Sequence, residues 1–123
     1  MEGKSFGGQN TGETFTVRDR VSCDTTNVVY LLYCHKGCPH SQYIGRTKNT
    51  LRSRFYVHRC HIRKNAGTHV THHFNLPGHS LEDMRCMIVE KVYSREISVL
   101  DRRENFWMQK LKTVFPDGLN TIE

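Results

Sequence analysis

The chain has 123 residues, which is enough for one compact domain and excludes two domains that each bury a sizeable core. Its 18 Lys and Arg against 12 Asp and Glu give a formal net charge of +6, which favours a polyanionic partner such as nucleic acid. No apolar run approaches the roughly 20 residues that span a bilayer, and the N-terminus lacks the apolar stretch of a secretory signal, so we expect a soluble, intracellular protein with no membrane partner.

The first predicted segment is a flexible tail, residues 1–14. It is rich in Gly, Ser, Thr and Asn and has almost no apolar side chains, so burial cannot offset its ordering entropy. The folded domain is then expected over residues 15–123. Residues 28–33 are continuously apolar or aromatic, as in a strand buried on both faces, and residues 42–45 resume a short strand after a polar stretch. These two strands predict a hairpin.

Three longer elements follow: a helix at residues 49–64, a strand at residues 84–92 and a helix at residues 95–113. Asn49 or Thr47 is expected to cap the first helix. The segment 65–81 is loop-like and rich in histidine, with one helical turn predicted at residues 69–74. The predicted order of elements is therefore β, β, α, β, α.

Glu104 is the most informative single position. Leu100 and Trp107 flank it at helical spacing, so its carboxylate is expected on a largely desolvated face, where a charge needs a partner or a metal ion. The alternative is that Glu104 lies at the edge of the apolar stripe and pairs with Arg103 or Lys112 in solvent.

Two further pairs of side chains are expected to converge. Arg54 and His58 lie four residues apart, so one face of the first helix presents both; an arginine suits phosphate and a histidine can accept a proton. Tyr30 and Tyr43 bracket the predicted hairpin, and antiparallel pairing would place their phenols on one sheet face. Without other context, the first pair is equally compatible with a solvated edge and the second with an ordinary core.

Together these residues form an ordered pattern: Val28-Val29-Tyr30, Tyr43-Ile44-Gly45-Arg46-Thr47, Leu51 with Arg54 and His58, Glu104, and Asn120. The pattern closely resembles the GIY-YIG nuclease superfamily, with Val-Val-Tyr in place of Gly-Ile-Tyr. The resemblance implies an α+β fold with a small central antiparallel three-stranded sheet flanked by helices. It also implies metal-dependent hydrolysis of DNA phosphodiester bonds, with Mg²⁺ or Mn²⁺ as the catalytic ion. The implied catalytic residues are Tyr30, Tyr43, Arg54, His58, Glu104 and Asn120.

The resemblance assigns a role to each catalytic residue. Tyr30, polarised by His58 or Tyr43, assists deprotonation of the attacking water, and Arg54 neutralises the charge that develops on the phosphate. The remaining two positions concern the metal: Glu104 holds it, and Asn120 orients Glu104 or its bound water. Contacts to the DNA backbone are expected from Arg46, Arg52, Arg59, Arg63 and Lys64.

Within the superfamily, the sequence looks most like the endonuclease of Penelope-like retroelements. The segments that carry this resemblance are residues 27–34, residues 42–47, His73-Phe74 with His79, residues 103–107 and residues 118–120. It implies a nuclease that nicks a target site for a reverse transcriptase, in the nucleus, and this chain is then an excised domain or a standalone descendant. The competing interpretations are a DNA-repair or restriction nuclease of the same superfamily and a catalytically inactive, zinc-stabilised nucleic-acid-binding module.

The five cysteines leave one unpaired in any disulfide framework, so thiols or metal ligands fit better. Cys23, Cys34, His73 and His79 have the composition of a tetrahedral zinc site, and the retroelement resemblance implies a Cys-Cys-His-His motif at these positions. Three further residues are possible substitutes: Cys38, His40 and His72. The alternative is that these are free thiols and solvated histidines.

Overall fold

The computed structural model describes residues 5–17 and 20–121. Five strands and three helices follow one another in this part of the chain: β1 (Ser5–Gly7), β2 (Thr14–Thr16), β3 (Thr26–Cys34), β4 (Tyr43–Thr50), α1 (Leu51–Lys64), α2 (His69–Phe74), β5 (Met84–Lys91) and α3 (Ile97–Leu111). A single turn of 3₁₀ helix, Leu81–Asp83, precedes β5. None of the described helices combines the length and the hydrophobicity that a membrane crossing requires.

The main sheet has three antiparallel strands, with β3 between β4 and β5. Val28 and Leu32 of β3 are completely buried, which fits the uninterrupted apolar run of this strand. Tyr30 pairs with Gly45 of β4 on one side and with Ile88 of β5 on the other. The predicted central strand, its hairpin with the next strand and the third strand are confirmed.

Helix α1 begins slightly later than predicted, because β4 continues to pair with β3 as far as Thr50. Thr50, rather than Thr47 or Asn49, therefore caps the helix, and its side chain accepts a hydrogen bond from the Ser53 N–H. Asn65 ends the helix in the left-handed conformation, with φ of 53°. The helical turn predicted in the following loop is α2.

The helix faces that pack against the sheet follow the predicted spacing. In α1 the buried residues are Leu51, His58 and Ile62. In α3 they are Leu100 and Leu111. The α+β order of elements predicted for the domain is therefore correct, and α1 buries a histidine in a position where an apolar side chain is usual.

Most of the predicted flexible tail is instead ordered. β1 and β2 pair in an antiparallel hairpin, and Phe6 is only 6% exposed. The rings of Phe6 and Phe15 lie 5.4 and 5.3 Å from that of Trp107 on α3. The prediction was wrong for residues 5–14 because these aromatic rings gain their burial from a distant helix, which local composition does not show. Residues 1–4 of the predicted tail, and residues 18–19 and 122–123 of the predicted domain, lie outside the described residues.

Candidate functional site

Three side chains from β3 and α1 form a hydrogen-bonded group in the interior. The Tyr30 hydroxyl oxygen lies 2.7 Å from Nε2 of His58. Nε of Arg54 donates a hydrogen bond to the same oxygen at 3.2 Å. Because Arg54 and His58 are four residues apart, one face of α1 presents both toward β3. The predicted contact between His58 and a tyrosine phenol is confirmed.

Both members of the pair formed by Tyr30 and His58 are uncharged at neutral pH. Burial raises the pKa of Tyr30 above its ordinary value, and the neighbouring Tyr43 adds to the effect. Burial also lowers the pKa of His58 to about 4, with Arg54 and His61 acting in the same direction. In the tautomer that carries its proton on Nδ1, the neutral imidazole accepts a hydrogen bond from the phenol at Nε2, while the phenolic oxygen accepts from the guanidinium.

Tyr43 lies beside this group on the same face of the sheet. Its ring centroid is 6.4 Å from that of Tyr30 and 5.5 Å from that of His58. Gly45, opposite Tyr30 in the register, makes room for the phenol, since a Cβ there would lie 2.4 Å from the Tyr30 hydroxyl oxygen. The predicted convergence of the two tyrosines is confirmed, and it depends on the absence of a side chain at Gly45.

Glu104 contacts the sheet through Arg46 of β4. Nε of Arg46 lies 3.6 Å from Oε1 of Glu104 and forms a closer ion pair with Asp101. The Glu104 side chain is 23% exposed, and it is near enough to Tyr43 to contribute to the raised pKa of that phenol, whose main cause is burial. Arg46, predicted to contact DNA, is thus ion-paired here. Asp101 was not predicted as a site residue, although it precedes Glu104 by three residues on one helix face.

Asn120 holds β4 rather than Glu104. Its Oδ1 accepts hydrogen bonds from the Ile44 N–H at 2.8 Å and from the Thr113 hydroxyl at 2.6 Å. Its Nδ2 donates to the Ile44 carbonyl oxygen at 2.8 Å. Asn120 therefore clamps the strand that carries Tyr43, and its predicted role of orienting Glu104 or its bound water stays a prediction.

The close approach of the segment after α3 to β4 explains this placement. The Leu119 N–H donates to the Gln42 carbonyl oxygen at 2.8 Å. A Cβ at Gly118 would lie 2.4 Å from the Thr113 carbonyl oxygen and 2.7 Å from that of Gln42. Only a glycine allows the backbone to pass there. The two residues that follow then bring Asn120 next to Ile44 of β4.

A cavity of about 270 Å³ opens beside these groups. It is lined by Arg46, Thr47, Asn49, Ser53, Arg54 and Val57. Arg46 contacts Glu104 and Arg54 contacts Tyr30, so two of the lining residues connect the cavity to the carboxylate and to the hydrogen-bonded phenol. Guanidinium groups on two of its walls suit a phosphodiester, since each can donate paired hydrogen bonds to charged oxygens.

The outer side of α1 carries positive charge with no Asp or Glu in the helix. Of the residues predicted to contact DNA, Arg52, Arg63 and Lys64 are exposed and Arg59 is partly exposed. Arg52 pairs with Asp24 at 3.0 Å, with both side chains 69% exposed, and such a solvated pair opens at little cost. The helix therefore presents basic side chains to solvent, and Arg52, Arg59 and Arg63 lie on a different side of α1 from Arg54, which lines the cavity.

The sequence profile of the GIY-YIG catalytic domain matches residues 26–120. The chain belongs to the GIY-YIG family. A solved structure of the catalytic domain of homing endonuclease I-TevI shares the fold, with a TM-score of 0.66, 21% sequence identity, and coverage of 80% of this chain and 100% of that chain. A structure of a mutant catalytic domain of intron endonuclease I-TevI gives a TM-score of 0.65, 21% identity, and coverage of 78% and 93%. No curated protein sequence matches the chain significantly.

The carboxylates of this GIY-YIG domain fit a divalent cation. Asp101 and Glu104 offer oxygen ligands from one face of α3, and hard ions such as Mg²⁺ and Mn²⁺ prefer such ligands. Arg46 pairs with both carboxylates at the edge of the cavity, and its single positive charge leaves one negative charge that a cation would balance. The chemistry of the donors therefore agrees with the predicted catalytic metal.

A second group of metal-ligating side chains gathers where β3 ends. One ligand atom each from Cys34, Cys38, His73 and His79 lie within 4.8 Å of one another. The two sulfur atoms are 4.0 Å apart, and Sγ of Cys38 is 3.4 Å from Nε2 of His79. Tetrahedral zinc places two sulfur ligands about 3.8 Å apart and a sulfur and a nitrogen about 3.6 Å apart. Within the described part of the chain, Nε2 of His73 is buried without a hydrogen-bond partner, which a metal ion would supply.

Cys38 takes the place in this group that we predicted for Cys23. Cys23 is exposed and precedes β3, whereas Cys34 is the last residue of that strand. Nine extended residues span roughly 27 Å, so the two cysteines lie toward opposite ends of the sheet. Instead, a turn at Gly37 brings Cys38 back beside Cys34. The Gly37 N–H donates a hydrogen bond to the Cys34 carbonyl oxygen in this turn. The other possible substitutes, His40 and His72, lie outside the group.

Proposed function

We propose that this GIY-YIG domain is a metal-dependent DNA endonuclease that nicks phosphodiester bonds. The observation that carries the proposal is the buried hydrogen bond between Tyr30 and His58, with Arg54 bound to the same phenol at the wall of the cavity. Glu104 is connected to that cavity through its contact with Arg46. The shared fold with the catalytic domain of a homing endonuclease supports the same class of reaction.

Hydrolysis requires water to lose a proton as its oxygen attacks phosphorus and the bond to the leaving 3′ oxygen breaks. The oxygen of Tyr30 takes that proton while the phenolic proton passes to Nε2 of His58, which is neutral and able to accept it. Arg54 stabilises the phenolic oxygen during this transfer through its Nε hydrogen bond. Its guanidinium also neutralises negative charge on the phosphate in the transition state.

Glu104, with Asp101 beside it, would hold the divalent ion. When bound, that ion supplies Lewis-acid activation of the phosphate and stabilises the departing oxygen. The partial burial of Glu104 strengthens its electrostatic interactions, because little water screens the carboxylate. Asn120 acts indirectly, since it fixes β4, the strand that carries Tyr43 and Arg46.

We also infer that Cys34, Cys38, His73 and His79 bind one Zn²⁺ ion with a structural role. The spacing of the four ligand atoms and the unpaired Nε2 of His73 support this assignment. Zinc there would tie the end of β3 to α2 and to the loop that follows it. In a domain of this size such a crosslink contributes to folding directly.

The basic surface of α1 supports DNA as the substrate. Arg52, Arg59, Arg63 and Lys64 follow one another along the helix and would contact phosphates without reading sequence. Arg46 would exchange Asp101 for a substrate phosphate as its partner. These contacts predict that DNA binding weakens steeply with salt, as counterion release requires.

The finer biological role follows from the resemblance to endonucleases of Penelope-like retroelements. In that role the domain nicks a chromosomal target in the nucleus and acts with a reverse transcriptase domain. A DNA-repair nuclease of the same family would instead require branched or damaged DNA. A zinc-stabilised binding module would bind DNA and leave it intact.

A nicking assay tests the proposal. Supercoiled plasmid incubated with purified protein and Mg²⁺ should be converted to open circles, and the wild-type chain should do this without a partner. Glu104→Gln should reduce the rate by about 100-fold or more while DNA affinity stays within about twofold, because the variant loses an anionic metal ligand but keeps its shape and basic surface.

The matched control is Glu82→Gln, which removes an exposed carboxylate in the 3₁₀ turn before β5. It should nick like the wild-type chain. Cleavage near the wild-type rate by Glu104→Gln would overturn the assignment of the metal ligand. Tight DNA binding with no nicking by the wild-type chain would favour the inactive binding module.

A further inference from the structure

A second cavity, of about 370 Å³, lies at the end of the sheet where β3 begins and where β4 and β5 end. We propose that it binds an unpaired nucleotide of the substrate DNA. The base would stack on the ring of Tyr93, and Lys48, Lys91 and Arg95 would contact the adjoining phosphates. This inference rests on the proposed nuclease function and assigns its substrate class, DNA with a single-stranded segment beside the cleavage site.

The charge of this cavity favours a phosphate ligand. Lys48 and Arg95 are exposed and Lys91 is partly exposed, and none of the described residues that line the cavity is acidic. Nζ of Lys48 donates to the Arg95 carbonyl oxygen at 3.4 Å, and Nζ of Lys91 donates to that of Thr26. These bonds hold the ammonium groups at the rim without neutralising them.

Among the described residues, these three cations have no acidic partner, unlike Arg46 and Arg103. Across residues 5–17 and 20–121, no carboxylate lies within ion-pair distance of Lys48, Lys91 or Arg95. By contrast, Arg46 and Arg103 both pair with carboxylates. Three uncompensated positive charges around one concave surface attract a polyanion.

Tyr93 supplies an aromatic platform on a rigid backbone. Its side chain is 76% exposed, and the Lys91 ammonium lies 5.7 Å from its ring centroid. Asn27, at φ of 57°, donates from its amide to the carbonyl oxygens of Val92 at 2.7 Å and Ser94 at 2.8 Å, so both neighbours of Tyr93 are fixed. An exposed ring beside cations is the arrangement that stacks bases of single-stranded nucleic acid.

The position of the cavity relative to the active site supports an unpaired nucleotide. Thr47 and Asn49 line the first cavity, and Lys48, between them, lines the second. β4 is an edge strand of the main sheet, so these neighbouring residues lie at the border of the sheet, where both cavities open. One DNA strand can therefore pass over this edge from one cavity to the other. A paired base is stacked within its duplex, so only an unpaired base can lie on the ring of Tyr93.

Fluorescence anisotropy with the full chain tests the inference, in buffer that lacks Mg²⁺ so that no cleavage occurs. The probes are a single-stranded oligothymidylate and a blunt duplex of equal length. Tyr93→Ala should weaken binding of the single strand about tenfold and that of the duplex by less than about twofold, as expected when one stacking contact is lost. Tyr93→Phe should retain single-strand affinity, because it keeps the ring.

Two matched variants control for general effects. Phe106→Ala removes another exposed ring, 42% exposed on α3, and Lys110→Ala removes a lysine that pairs with Glu13 at 3.7 Å. Neither should change single-strand affinity by more than about twofold, whereas Lys48→Ala should reduce it.

Equal losses on both probes for Tyr93→Ala, or no loss on either, would overturn the inference. Because the readout is binding, its failure is distinct from that of the nuclease proposal. If the chain binds single strands through Tyr93 but nicks no DNA, only the nuclease proposal is refuted. If it nicks DNA but its single-strand affinity does not depend on Tyr93, only this binding site is refuted.

Discussion

At the scale of single residues, the neutral imidazole of His58 links the stability of the fold to pH. Its pKa is about 4 in the folded chain, against an ordinary value of 6.5, chiefly because it is buried. Between these two values the unfolded chain binds a proton that the folded chain does not. Acidification through this window therefore favours the unfolded state, and the penalty is absent above it.

We expect the free energy of unfolding to fall by up to roughly 1.4 kcal/mol per pH unit as pH decreases from 6.5 toward about 4. Urea unfolding at a series of pH values measures this slope. His58→Gln should show a shallower slope, because glutamine does not titrate. The difference between the two curves separates His58 from other titrating groups, and identical slopes would contradict the assignment.

Activity should depend on the same group. An imidazole that must accept the phenolic proton has to be neutral. In a pH–rate profile, the rate should therefore fall on the acidic side only near the lowered pKa of His58 and not near 6.5.

Much of the candidate site could be predicted from residue patterns. Spacing along α1 and pairing across the hairpin brought Tyr30, Tyr43, Arg54 and His58 together as expected. The role of Asn120 could not be predicted, because its partner Ile44 is distant in sequence and no local pattern records that contact.

At the scale of elements, the N-terminal hairpin shows where local sequence is insufficient. Each of its three-residue strands carries one aromatic residue, Phe6 or Phe15, and so has no periodicity from which a strand could be inferred. Their burial comes from Trp107 on α3. The longer strands and helices, in contrast, carry an apolar period of their own and were predicted to within a few residues.

The hairpin should contribute measurably to stability. Phe6→Ala should lower the free energy of unfolding by about 3 kcal/mol, because it empties a packed aromatic site. Trp107 is the single tryptophan of the chain, so its fluorescence reports hairpin docking directly during urea unfolding. Phe115→Ala, a ring that is 53% exposed, should cost less than about 1 kcal/mol. An unchanged midpoint for Phe6→Ala would show that the hairpin is dispensable.

At the scale of the whole molecule, the Cys-His group joins parts of the chain that the sheet does not hold. Cys34 and Cys38 come from the end of β3 and the turn after it, whereas His73 and His79 come from α2 and the loop beyond it. Composition identified three of these four ligands. It could not choose between Cys23 and Cys38, because that choice depends on how far an extended strand carries the chain.

The two cysteines offer a direct test of the zinc site. Purified protein should contain about one zinc per chain, and Cys38→Ser should lower both zinc content and melting temperature, since a hydroxyl is a poor substitute for a thiolate. Cys23→Ser should leave both unchanged, because Cys23 is exposed at the far end of β3. Elemental analysis that finds no zinc in folded protein, or equal losses in both variants, would refute the site.

The clamp between Asn120 and Ile44 has a consequence for how the molecule is made. Its hydrogen bonds join residues 76 positions apart, so the clamp adds contacts of high sequence separation, which slow folding. On the ribosome, β3, β4 and α1 emerge long before Asn120 does. A nascent chain can therefore carry Tyr30, Arg54 and His58 while β4 still lacks the partner that fixes it. Interrupted translation products would then be unable to complete the candidate site, and the proposed nicking of DNA would be confined to chains synthesised beyond that point.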